Sequence, residues 1–183
     1  MNRRSLLRLL GASFAAGATA TSGAARPAPS VERLQHDWQQ LLAKNAPVAR
    51  DATPITRTDD QWRKDLRAEA YQVLRHEGTE RPFTSPLNDE HRPGVFVCAG
   101  CALPLFTSDM KFDSGTGWPS FFTTIPNVFQ SKTDTLLFYP RTEYHCAKCG
   151  GHHGHIFDDG PAPTGLRYCN NGVALRFIPK DLG

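Results

Sequence analysis

The amino-acid sequence predicts an antiparallel, mostly β domain with a leading helix. Three observations carry that reading. Glycine and proline are in modest excess, 15 and 14 residues of 183, and both favour turns over long helices. The short runs Thr135–Tyr139 (TLLFY) and Val173–Ile178 (VALRFI) have strand-like composition. Two CxxC pairs, Cys98/Cys101 and Cys146/Cys149, lie 44 residues apart (102–145). That gap exceeds a compact zinc finger and suits two distant hairpins of a larger sheet held by one metal.

The length suits one domain plus extensions, enough to bury a core without disulfides. The formal charge of +3 comes from 21 basic and 18 acidic residues. Arg3, Arg4 and Arg8 lie in the first 25 residues, which hold no acid, so the remainder carries 18 of each sign. A balanced chain lacks the basic footprint of nucleic-acid binding.

Residues 1–25 have the three parts of an export signal: a basic start, the uncharged run Leu9–Ala20, and small residues ending in candidate cleavage sites at Ala20 and Ala25. Arg3-Arg4 before Leu6-Leu7 resembles a twin-arginine signal. This predicts a periplasmic or otherwise exported protein, with no membrane attachment once the signal is removed. Residues 26–57, rich in Pro, Ala and Gln, read as a tether, with a possible short helix over Val31–Leu42 that aligns Leu34, Trp38 and Leu41/Leu42. The domain spans 58–180. Thr58 and Gln61 form a capping box, Trp62, Leu66, Ala70 and Val73/Leu74 follow at helical spacing, and Gly78 ends the run. Residues 79–94, with three prolines, read as an irregular loop.

Two CxxC pairs complete the four-thiolate shell that zinc favours, and such a site is structural because no coordination position stays open. Two vicinal disulfides or a redox CxxC are the rival readings. Between the pairs, KFDSGTGWPSFF gathers Phe112, Trp118, Phe121 and Phe122, either as core or as the walls of an apolar pocket. With four cysteines assigned to the metal, Cys169 remains. Unpaired thiols in exported proteins are candidate reactive groups. On a strand, Arg167 and Asn171 would share its face, and a cation favours the thiolate. His152 and His155, on a Gly-rich segment, are candidate proton donors.

The segments QWRKDLRAEAYQVLRHEGTERPF, CAGC, KFDSGTGWPSF, RTEYHCAKCGGHHGHIFDDGPAPTG and RYCNNGVALRF occur in order. From Thr58 to Lys180 the chain resembles a peptide methionine-R-sulfoxide reductase of the MsrB type (SelR domain). The resemblance implies two antiparallel sheets in a small barrel- or tent-like domain, braced by Cys₄ zinc through Cys98, Cys101, Cys146 and Cys149. It implies Cys169 as nucleophile, Trp118 (with Phe112 nearby) in the pocket for the substrate methyl group, and His155, with His152, as acid. It implies Asp159 as the group orienting His155, and Arg167 and Asn171 in the polar network. Two departures stand out. His153 replaces a commonly apolar residue and receives no role. Thr116 stands where many relatives carry a resolving cysteine, and the chain has five cysteines in all.

The resemblance thus implies an oxidoreductase of protein repair under oxidative stress. Its substrates would be oxidised proteins carrying methionine-R-sulfoxide, and its reductant a thioredoxin-like protein or small thiol. The competing classes are a zinc-braced interaction module with an inert Cys169, and a glutathione-adduct enzyme, which would need an open zinc position.

Overall fold

Thr58 opens the leading helix as its capping box predicts: its hydroxyl accepts from the Gln61 amide, and the Gln61 side chain accepts from the Thr58 amide. The structure, a computed structural model, describes residues 30–134 and 140–180. The export signal and the run Thr135–Tyr139 lie outside the described residues.

One continuous helix was expected up to Gly78. There are two, α2 (Asp59–Asp65) and α3 (Ala68–His76), divided where Leu66 and Arg67 take extended ψ values of 145° and 148°. The Tyr71 hydroxyl donates to Asp59 across 2.6 Å and accepts from Arg63. On a straight helix those 12 residues would separate Asp59 and Tyr71 by about 18 Å, so the contact requires the chain to fold back. The stop also falls one residue early: Glu77 takes the left-handed conformation (φ 56°), and the Glu77 and Gly78 amides both donate to the Gln72 carbonyl.

Among the described residues nine strands follow, in two antiparallel sheets. The smaller has the order β2 (Pro104–Thr107), β1 (Gly94–Cys98), β9 (Leu175–Pro179). The larger runs β3 (Lys111–Phe112), β4 (Ser120–Phe121), β8 (Arg167–Asn170), β7 (His152–Phe157), β6 (Arg141–Cys146), β5 (Phe129–Asp134). The mainly β, two-sheet fold expected from the sequence is the one observed. The strand read over Val173–Ile178 begins later, because Gly172–Ala174 form a 3₁₀ turn. The Glu80 carboxylate holds the Gly172 and Val173 amides there, outside any ladder.

Aromatic rings join the sheets. Phe106 of β2 stacks on Phe121 of β4, with centroids 3.9 Å apart, and Phe96 of β1 meets the same ring edge-on. Phe121 is therefore core, not pocket. α3 buries Ala70, Tyr71, Val73 and Leu74 and packs against β7. Helix α1 (Val31–His36) and a 3₁₀ turn (Asp37–Leu41) occupy the segment read as a tether, and Leu34, Trp38, Ala49, Ala52 and Ile55 lie against the core. No helix of the described residues is long and apolar enough to cross a membrane.

Candidate active site

The four paired cysteines meet where the sheets meet. Cys98 ends β1 and Cys101 lies in the β1–β2 turn; Cys146 ends β6 and Cys149 lies in the β6–β7 turn. The hairpins thus belong to different sheets, not to one larger sheet. Cys98 Sγ lies 3.6 Å from Cys149 Sγ, and Cys101 Sγ lies 3.5 Å from Cys146 Sγ. All four sulfurs fall within 4.8 Å of one another, close enough to hold a metal ion. Four convergent thiols in one mostly buried spot suit a soft, tetrahedral ion. Residues 49–55 seal the cluster: the Ala49 amide donates to Ala102 O and the Ile55 amide to Lys148 O, one bond to each cysteine turn.

The second group of residues forms a row across the larger sheet. Phe112 pairs with Ser120, Ser120 with Cys169, Cys169 with His155, His155 with Glu143, and Glu143 with Lys132. Directly paired residues share a face, so these six side chains stand in one line, roughly 4.8 Å apart from strand to strand. A β-bulge extends the group. His152 and His155 are three apart and would face opposite ways on a regular strand. The ladder slips between Tyr144 and His145, so His145 pairs with His152 while Tyr144 pairs with Gly154. Both histidines then share the site face, with ring centroids 5.6 Å apart, and His153 turns into the core against Phe129 and Tyr144. Gly154 makes the crossing possible, since a Cβ there would lie 2.0 Å from Cys169 O.

Cys169 is a free, partly exposed thiol. The nearby Arg167 and Thr116 side chains both favour its thiolate, yet burial outweighs them and pushes the thiol above its ordinary value. Arg167 itself is buried, lies 4.3 Å over the Phe157 ring, and donates two hydrogen bonds, 2.7 and 2.8 Å long, to Asp159. Asp159 was expected to orient His155. Its two oxygens hold Arg167 instead, because the loop between β7 and β8 brings it back beside the start of β8. Thr116 continues through Ser114 to Ser120 in a chain of hydroxyls, each step 2.8 Å.

Trp118 and Phe112 line one cavity of about 220 Å³ with Phe83 and His91. The Trp118 indole donates to Glu80 O at 3.1 Å, which fixes the ring. Asn171 lies at the end of β8, and its side chain accepts from the Glu80 amide and donates to His153 O. This braces the strand end, and no contact with the thiol is seen among the described residues. His152 is buried with Nδ1 against the Glu143 carboxylate, and burial pushes it down to about 4. Glu143, Ser120 and Glu80 were not foreseen. The alternation in Arg141–Cys146 could have placed Glu143 on a strand face, but nothing local reveals its neighbours.

These features define a thiol-bearing, two-sheet β domain with a metal-capable four-cysteine clasp. The SelR domain matches residues 66–179, and the chain belongs to that family, the MsrB-type peptide methionine sulfoxide reductases. It is 50% identical over 131 residues to the peptide methionine sulfoxide reductase MsrB of Thiobacillus denitrificans, covering 71% of this chain and 99% of that one. It is 53% identical over 128 residues to the protein of that name from Pseudomonas putida strain W619, covering 69% and 96%. The Methanosarcina barkeri protein of the same name is 48% identical over 130 residues, covering 70% and 92%.

Proposed function

We propose that the chain reduces the R epimer of methionine sulfoxide in proteins, with Cys169 as nucleophile. The observation that carries the reading is the placement of a free, partly exposed Cys169 directly opposite His155, with Arg167 and Thr116 near enough to favour its thiolate. The Cys169 sulfur attacks the sulfoxide sulfur, the S–O bond breaks, and the oxygen is protonated by His155 as it leaves. A water then attacks the Cys169 sulfur of the resulting thiosulfonium, the S–S bond breaks and methionine leaves, so that Cys169 is left as a sulfenic acid whose oxygen comes from that water and which holds the oxidising equivalents. Phe112 and Trp118 receive the apolar methyl end of the substrate.

Thr116 supplies no second thiol. An external thiol therefore attacks the sulfenic acid, releasing water and forming a mixed disulfide, and a second thiol displaces Cys169 in reduced form. A thioredoxin-like protein or a small thiol fits that role. Zinc is the ion proposed for Cys98, Cys101, Cys146 and Cys149. Four thiolates complete its shell, so it would tie the two sheets together and take no part in the reaction.

The decisive assay is dithiothreitol-driven reduction of separated R- and S-sulfoxide peptides. Wild type should turn over the R form alone, and Cys169→Ser neither. Retained turnover in Cys169→Ser overturns the nucleophile. We also propose export through the signal at 1–25, supported by its sequence pattern; Arg3-Arg4 to Lys-Lys should trap the precursor, and undiminished export counts against it.

A further inference from the structure

At the Glu143 end of the active row, and separate from the four cysteines, Glu143, His145 and His152 bring one carboxylate oxygen and two ring nitrogens within 4.8 Å of one another. We propose that this triad is a second metal site, for a divalent ion of the zinc type, with three protein ligands and an open fourth position.

The first support is burial without partners. The Glu143 and His152 side chains are 4% and 2% exposed. Glu143 Oε1, His145 Nε2 and His152 Nδ1 are all buried without a hydrogen-bond partner in good geometry. Buried polar atoms of a folded protein are nearly always satisfied, and here three lie unsatisfied at one point. They are close all the same: Glu143 Oε1 lies 3.0 Å from His145 Nε2 and in contact with His152 Nδ1. Proximity without hydrogen-bond alignment is the arrangement of ligands directed at a common ion rather than at each other.

Tautomer chemistry supplies the second support. His145 Nδ1 lies 3.3 Å from the Gly150 carbonyl. A carbonyl only accepts, so Nδ1 carries the proton and Nε2 presents a lone pair toward Glu143. A lone pair facing a carboxylate oxygen needs a proton or a metal cation between them, and a neutral ring supplies no proton there. Backbone anchoring of the far ring nitrogen is also how metal-binding histidines are commonly oriented.

The surroundings suit a cation. Glu77 closes the C-terminal end of α3 and faces His145 and His152 electrostatically, and that end of a helix favours positive charge. Lys132 is the opposing cation. It reaches Glu143 through Oε2, 3.2 Å away, leaving Oε1 to the triad, and its other contact is Glu77. Two histidines and one carboxylate form a donor set known for zinc with a fourth position open. An ion there would fix His152 beside His155 without occupying Cys169.

The test is zinc stoichiometry of the full chain, by native mass spectrometry and elemental analysis after zinc loading. Wild type should hold two ions; His145→Gln and Glu143→Gln should each hold one while retaining the wild-type circular dichroism spectrum. Cobalt distinguishes the sites: the second equivalent should add ligand-field bands without adding thiolate-to-metal charge transfer. A single ion in wild type, or two ions in folded His145→Gln, overturns the proposal, as does a second cobalt that adds charge-transfer intensity.

Discussion

Cys169 and His155 stand directly opposite each other on adjacent antiparallel strands, β8 and β7. Neighbours of that kind share a face and keep their separation through the ladder hydrogen bonds. The thiol and the imidazole are therefore held by backbone pairing, not by a flexible loop.

That pairing predicts what His155→Asn will do. The thiol, Arg167 and Thr116 stay in place, but the proton for the departing oxygen is lost. Reduction of the R-sulfoxide peptide should slow by about 10²–10⁴-fold, while alkylation of Cys169 by iodoacetamide keeps its wild-type rate. Equal losses in both assays would mean that His155 supports the strand and does not serve the chemistry.

The pH dependence of that alkylation reads the balance at Cys169. Burial raises the thiol and Arg167 and Thr116 lower it, with burial the largest of the three. The alkylation midpoint should lie above the ~8.5 of a free thiol. Arg167→Met should move it higher still, and Thr116→Val in the same direction. A raised folded-state value means that the stability linked to this group is complete below the unfolded value and is lost as pH rises through the folded one. A midpoint below that of a free thiol would show that the cation, not burial, governs the site.

Metal removal tests the clasp between the sheets. The β1–β2 and β6–β7 turns meet through Cys98–Cys149 and Cys101–Cys146, so an ion bound there would tie together two sheets that also meet through their packed rings. Stripping it with a strong chelator, or Cys98→Ala, should cost several kcal/mol and lower the thermal midpoint. Superimposable melts before and after chelation would rule out a structural metal.

The clasp was legible in the sequence because ligand spacing is a local property: CxxC fixes two sulfurs on one turn whatever the rest of the chain does. Cys169 was legible as the odd thiol, and Thr58 as a cap, for the same reason. What was hidden depends on register or on distant partners. The slip at Tyr144/His145, which puts His152 and His155 on one face, leaves no mark on composition. Asp159 sits two residues past the strand carrying His155, yet its partner, Arg167, comes from the next strand. Asn171 follows the alternation that would place it beside Cys169, but β8 ends at Asn170 and its amide joins Glu80 and His153. The break between α2 and α3 is set by Tyr71 reaching Asp59, which helical periodicity cannot register.

His153 offers the last prediction. It is 0% exposed, lies against the Phe129 and Tyr144 rings, and burial pushes it down to about 4. Neither ring nitrogen has a hydrogen-bond partner in good geometry, so the residue bears the desolvation cost of an imidazole without full compensation, of order 1–3 kcal/mol. Leucine fills a similar volume with no polar atom to satisfy. His153→Leu should therefore stabilise the protein by about 1 kcal/mol, raise the thermal midpoint by roughly 2–4 °C, and leave R-sulfoxide reduction unchanged, because the ring points away from the row that carries Cys169. A lower midpoint would mean that the imidazole is satisfied in the core, and a loss of turnover at unchanged midpoint would give His153 a part in the site.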